Sequence, residues 1–400
     1  MTPRSTLLPG SILGALGLLA LLACSSSDSH GPSYAEVVNA MAVADIDGNG
    51  RPDILGLVST DIGGKSAQGY VSTRLQDDPG SFVLPTRFGV GRAPANLVAA
   101  DVNGDGRPDL VVANADDQTI SVRLADPAKP GFFLSATVLA TPGRTPLDVA
   151  VGDLDGDGHA DIAVAASGAN TVLIFMQTAS GSFGAPLSFA VGGDPQAVTV
   201  ADLDGDGHPD IAVATAANAV SVLRQLIFAP TFVAQSAVDY PTGVHPVAIK
   251  AADLHGTGKL DLLTANWGAD TNPNSQGLSV LAQTTPGVFA APVHYATDYR
   301  AAALAVGDLN GDGKLDVAVA AEGLPGFPGA VSVFLQDAAT PGSLAGAVNY
   351  RGAWGPMGVA LADMDGDGRP DLVLADGDIV VRLNSSTPPG TFGPPNFFYN

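Results

Sequence analysis

The chain of 400 residues contains one cysteine, Cys24, and only two glutamates, Glu36 and Glu322. A lone cysteine excludes a disulfide and a thiolate metal site in the folded part. Basic residues are scarce too: 18 Lys and Arg stand against 40 acidic residues, for a formal net charge of −22. That imbalance argues against nucleic acid as a partner and for a bound cation. Nearly all the acidity is aspartate, whose short carboxylate suits turns and hard-cation loops. The N-terminal apolar run, Ile12 to Ala23, is too short for a comfortable membrane span.

Turn formers are abundant. With 49 glycines, 30 prolines, 46% apolar and 14% charged residues, the composition favours one large all-β repeat domain over a helical one. Arg4 and the apolar run after it have signal-peptide proportions, and Leu21-Leu22-Ala23-Cys24 resembles a bacterial lipobox, although Leu22 stands where a small residue is usual. The chain is therefore expected to comprise a lipoprotein signal peptide over 1–23, a Ser-rich tether over 24–33 and a folded domain over 34–400. Cys24 is the expected lipidation site. The expected destination is that of an exported bacterial lipoprotein, at the outer membrane or cell surface, with a membrane contact through the lipid alone.

A nine-residue segment recurs seven times: DIDGNGRPD, DVNGDGRPD, DLDGDGHAD, DLDGDGHPD, DLHGTGKLD, DLNGDGKLD and DMDGDGRPD, starting at Asp45, Asp101, Asp153, Asp202, Asp253, Asp308 and Asp363. The starts lie 49 to 56 residues apart, the length of one four-stranded blade. Apolar runs flank each segment, as in AVTVAD before the fourth loop and DIAVAT after it. A third run such as AVSVLRQL and a phenylalanine-led segment such as GSFGAPLSFAV follow. The pattern predicts a seven-bladed β-propeller with four-stranded blades, the acidic loop joining first strand to second. Tyr34 to Asn39 is placed to pair with the last blade and close the ring.

The DxDGDGxxD loop followed by an apolar strand resembles the FG-GAP/VCBS repeat of integrin α-subunit propellers and bacterial surface proteins, over roughly residues 34–400. Seven occurrences in register are specific for fold and much less so for function.

Calcium takes six to eight oxygens from a tightly curled backbone, and glycines at positions four and six of the loop permit that curl. Positions one, three, five and nine are the expected side-chain ligands. They are Asp45, Asp47, Asn49 and Asp53; Asp101, Asn103, Asp105 and Asp109; Asp153, Asp155, Asp157 and Asp161; Asp202, Asp204, Asp206 and Asp210; Asp308, Asn310, Asp312 and Asp316; and Asp363, Asp365, Asp367 and Asp371. The fifth loop has His255 and Thr257 at positions three and five and is expected to be weak or empty. About six structural Ca²⁺ ions are therefore expected. An EF-hand is excluded, because position twelve is Gly56, Val112, Val164, Val213, Thr264, Val319 or Leu374, never glutamate. Asx turns alone would also place Asp and Gly here. However, the loops gather 23 of the 40 acidic groups, which repel without a cation.

No HExxH, GxSxG or Walker loop is present, so no catalytic residue is assigned. His245 and His294 have no recognisable partner in the sequence. Counting back from the metal motif, Arg92, Arg144, Gly193, Val244, Tyr299 and Trp354 share one position on the face opposite the acidic loops, and Trp267 lies in an insertion on the same face. Arg92, Arg144, Trp267, Tyr299 and Trp354 are the candidate ligand-binding residues, since Trp, Tyr and Arg dominate recognition hot spots. The expected role is a surface-anchored binding or adhesion module for protein or glycan. The alternative is a polysaccharide-directed lectin, hydrolase or lyase on the same scaffold.

Overall fold

The computed structural model describes residues 36–62, 65–66, 68–226, 232–268, 277–323, 328–337, 340–353 and 355–398. Cys24, the signal segment and the tether lie outside the described residues, as does Trp354. Seven sheets follow one another in sequence, each with four strands in the order inner, second, third and outer, the first adding a short strand, Lys65–Ser66, beside its second. The second blade shows the plan: Pro94–Ala100, Asp109–Asn114, Thr119–Arg123 and Thr137–Ala140. No helix occurs among the described residues. This is the seven-bladed all-β propeller that the repeat spacing predicts.

The continuous apolar runs have a packing cause. Every residue of Asp109–Asn114 is buried, because its blade is covered on both faces. Val111 and Ala113 pack towards the third blade, and Leu110 and Val112 towards the first. Seven such clusters fill the seven seams between blades. Near the axis the inner strands converge and need small side chains. A Cβ on Gly152 would lie 2.7 Å from Val200, and one on Gly307 2.8 Å from Leu361.

Inner strands are sheet edges, so they tolerate proline and bulges. The register slips by one residue just after Pro94, Pro146, Pro195 and Pro246. The inner strands of three blades are also tied together at Asp148. It accepts hydrogen bonds from Asn96 Nδ2 at 2.5 Å and from the Val198 amide at 2.9 Å.

The last blade is complete within its own sequence, with Asn396–Phe398 outermost. Glu36–Ala44 is the inner strand of the first blade and meets the last at one bridge, the Val38 amide donating to the Gly377 carbonyl at 3.0 Å. The ring thus closes side to side, with that single bridge as the only strand-like link among the described residues.

A small hairpin after each third strand is the main departure from the four-strand plan. It is a two-stranded ribbon in blades one, three, five and seven, and a single bridge in the others. Its first residue is glutamine or asparagine in every blade but the second, and in five blades this residue, Gln76, Gln177, Gln283, Gln336 or Asn384, reaches the neighbouring blade. That side-chain amide donates to the carbonyl at position two of the preceding blade's acidic loop: Met364, Val102, Leu203, Leu254 or Leu309. The hairpin aromatic then meets the outer-strand aromatic of the preceding blade edge to face. The pairs are Phe88–Phe133, Phe189–Phe232, Tyr240–Phe289, Tyr350–Phe392 and Phe398–Phe82, with centroids 5.0 to 5.3 Å apart. Each adds about 0.5–1.5 kcal/mol beyond the area it buries. The phenylalanine-led segments of the sequence are therefore clasps between blades.

Candidate metal centres and the opposite face

The acidic loops owe their curl to position one. Asp45 accepts from the amides of Gly48, Asn49 and Gly50 at 2.7 to 3.0 Å, and Gly48 and Gly50 take φ of 75° and 83°. The same bonds recur in the fifth loop, where Asp253 accepts from Thr257 and Gly258. The curl thus needs only position one and the glycines, as in an Asx turn.

Position nine has a different task. The carboxylates of Asp53, Asp109, Asp161, Asp210, Asp261, Asp316 and Asp371 are at most 2% exposed. One oxygen accepts from the position-two amide at 2.7 to 3.1 Å. The other accepts from the amide just after the third strand at 2.7 to 2.8 Å. Each therefore staples the loop to its own blade, and in Asp53, Asp161, Asp210 and Asp371 each oxygen accepts one such bond and keeps a lone pair for a cation.

Positions three and five are the surplus that a turn does not require. In the first, third and seventh loops, positions one, three and nine bring ligand oxygens within 4.8 Å of one another; in the fourth, positions one, three and five do. Burial and then the neighbouring aspartates push Asp155 and Asp204 up. Asp204 Oδ1 is buried without a hydrogen-bond partner. A desolvated carboxylate oxygen without a donor, beside other carboxylates, is suited to ligate a cation. These loops fit a divalent metal ion.

The second and sixth loops lack a carboxylate at position three. Asn103 and Asn310 occupy position three, and their amides donate to Asp105 and Asp312 at 3.1 and 3.2 Å. Position seven partly neutralises two loops, through Arg107 on Asp105 at 2.5 Å and Arg369 on Asp367.

Burial raises Asp53, Asp161 and Asp371 to about 6 and Asp210 to about 7, against the pull of their amide bonds; the nearby aspartates add to the rise. The unfolded chain titrates near 3.8, so between these values the metal-free fold holds more protons than the unfolded chain. Its stability rises as pH falls through that window. With metal present the sign is opposite, because protons compete for the ligands. In EGTA the thermal midpoint should rise from about pH 8 to about pH 5.5, and in excess divalent cation it should fall over the same range. Parallel trends in a calorimetric series would refute this assignment of the loops.

On the opposite face the candidate residues are dispersed. Arg92, at the end of the first blade's outer strand, pairs with Asp117 of the second blade at 2.6 Å, whereas Arg144 reaches Ser188 Oγ of its own blade at 3.4 Å. The Tyr299 carbonyl accepts from the Thr297 hydroxyl. Trp267 is half-buried, its amide bonded to the His245 carbonyl, and the Arg300 guanidinium lies 5.2 Å from its ring centroid. His294 bonds Ser279 inside the fifth blade, and burial lowers its pKa.

Two carboxylates that the sequence did not single out stand in the sixth blade's sector, Glu322 beside Arg300 and Asp298 two residues before that arginine. Glu322 is raised by burial and held down by Arg300, its register partner, and its Oε2 is buried without a hydrogen-bond partner. Asp298 pairs with Arg351 at 2.6 Å, is nine-tenths buried, and leaves Oδ2 without one. The scarcity of glutamate was a usable signal for Glu322. Trp267 and Glu322 also stand at the same position, six residues after the position-nine aspartate, in adjacent blades.

A seven-bladed propeller with recurrent acidic loops, several of which could hold a metal ion, defines the class of this protein. The FG-GAP-like repeat family matches residues 45–112, 101–164, 153–213, 204–264 and 308–374, and the chain belongs to that family. No curated protein matches it in sequence. Three of the many similar solved structures illustrate the likeness. A protein from Lactobacillus plantarum has a TM-score of 0.52 at 15% identity, covering 79% of this chain and 86% of its own. A functionally unknown protein from Desulfotomaculum acetoxidans has 0.54 at 12%, covering 82% and 96%. BBS1N, solved in complex with ARL6DN and soaked with lead, has 0.50 at 13%, covering 84% and 89%. At these identities the likeness concerns the fold alone, which suits a binding or scaffold module.

Proposed function

We propose that the protein is a calcium-braced binding module, held at a bacterial surface by a lipid on Cys24, which recognises a protein or glycan through the face opposite its acidic loops. The observation that carries the binding site is the corner formed by Trp267, Arg300 and Glu322. An indole and a guanidinium stacked together stand beside a buried carboxylate oxygen without a donor, and such a group gains most when a ligand supplies one. On the loop face, in contrast, the side-chain amides and position-nine carboxylates are spent on holding blades together. Calcium is favoured by the all-oxygen donor set and its aspartate charge. BBS1N, a propeller of similar fold, is solved with a partner bound, and this supports a recognition role.

The test uses the domain from residue 34 onward in calcium, applied to a glycan array and to cell-envelope extracts. Trp267→Ala and Trp354→Ala should each weaken capture about 30-fold or more, the effect of losing about 2 kcal/mol, with an unchanged thermal midpoint. Full retention of binding by both variants would move the site elsewhere. Lipid attachment is checked by palmitate labelling of the full chain, which Cys24→Ser should abolish; a labelled variant refutes the anchor.

A further inference from the structure

The fifth loop does not fit a metal ion as the others do, and the way it departs is informative. Of its positions one, three, five and nine, only Asp253 and Asp261 are carboxylates. The Thr257 hydroxyl at position five merely accepts from the Lys259 amide, and the Lys259 ammonium turns away to the Thr284 carbonyl at 2.9 Å.

His255, at position three, turns inward. Its Nδ1 lies 2.6 Å from Asp261 Oδ2, the oxygen that also accepts from the Leu254 and His255 amides at 3.1 and 3.3 Å. The opposite edge of the ring lies against the sixth blade's hairpin. A Cβ on Gly342 would sit 2.0 Å from His255 Cδ2 and 2.2 Å from Nε2. In other seams the position-three residue likewise faces a hairpin glycine of the next blade: a Cβ on Gly287 would lie 3.2 Å from Asp204 Cβ, and one on Gly390 3.1 Å from Asn310 Cβ. Position three is therefore where a loop touches its neighbour, and here an imidazole spans the gap from buried carboxylate to hairpin. Gln336 reinforces the seam, its Nε2 donating to the Leu254 carbonyl at 2.8 Å.

We propose that the His255 imidazole stands in for the ion in the fifth loop, bonded to the buried Asp261 carboxylate and packed on the next blade's hairpin, so that the seam between blades five and six is independent of metal. The proposal rests on the reading that the other acidic loops hold calcium. It makes the ring unequal in a defined way, with one permanently closed seam among metal-dependent ones.

The test is hydrogen exchange on the native domain with calcium and with EGTA, together with ion counting by plasma mass spectrometry. Chelation should lower amide protection about tenfold or more over 153–161 and 363–371, and leave 253–261 and 340–344 unchanged. The double variant H255D/T257D restores the four carboxylates; it should bind one calcium more than the native domain and make 253–261 sensitive to EGTA. Loss of protection at 253–261 in the native domain on chelation overturns the proposal, and so does a folded double variant with an unchanged ion count. No response to chelation in any loop overturns the calcium reading and this one with it, whereas a response that includes 253–261 overturns this one alone.

Discussion

Removing calcium should lower the thermal midpoint of the domain by roughly 15 °C, the largest single effect expected of this protein. A ligand that binds only the folded state contributes about 2.7 kcal/mol at a hundredfold excess over Kd. Four ions, the number of three-carboxylate clusters among the described residues, then contribute roughly 11 kcal/mol, comparable with the whole stability of an ordinary domain. For a chain of this size each kcal/mol is worth about 1–2 °C or a little more. The effect is amplified by architecture, because loops and hairpins of successive blades are bonded to one another and loosening one loop frees the clasp of the next. A scan in which EGTA moves the midpoint by less than about 2 °C would sink the proposed role of calcium.

The second large effect separates the carboxylates of one loop. Asp161→Ala should destabilise the domain by roughly 4 kcal/mol in EGTA as well as in calcium. It strands two buried amides, of Leu154 and Gln177, at about 1–3 kcal/mol each. Asp157→Ala, which frees only the exposed His159 amide, should be nearly silent in EGTA and costly in calcium. Urea titrations of both variants in both conditions provide the comparison. If the two variants behave alike in EGTA, position nine is not a staple and its burial has another cause.

Much of the fold was legible in the sequence because it is written in local rules. Glycines four and six of each loop take the positive φ that the curl demands, and apolar runs such as Ile211 to Ala214 mark strands covered on both faces. The unequal fifth loop was legible too, from His255 and Thr257. The dual engagement of position nine was not, since a carboxylate in a turn does not reveal that its second oxygen meets an amide 16 residues on, as Asp161 meets Gln177. The hairpin clasp left a trace in the recurrent Gln or Asn after the third strand of every blade but the second. Its partner nevertheless lies about 80 residues away for Gln283 and Leu203, and no periodicity within a blade points there.

By itself, then, the sequence determined the blade count, the strand order within a blade and the chemical character of the acidic loops, because each depends on residues within one repeat. Only the tertiary structure decided which blade each loop is fastened to. It also placed Arg300 over Trp267 and beside Glu322, and turned His255 inward to bridge Asp261 and the next blade. Those are contacts between repeats, set by how the sheets pack around the axis rather than by any preference of the local chain.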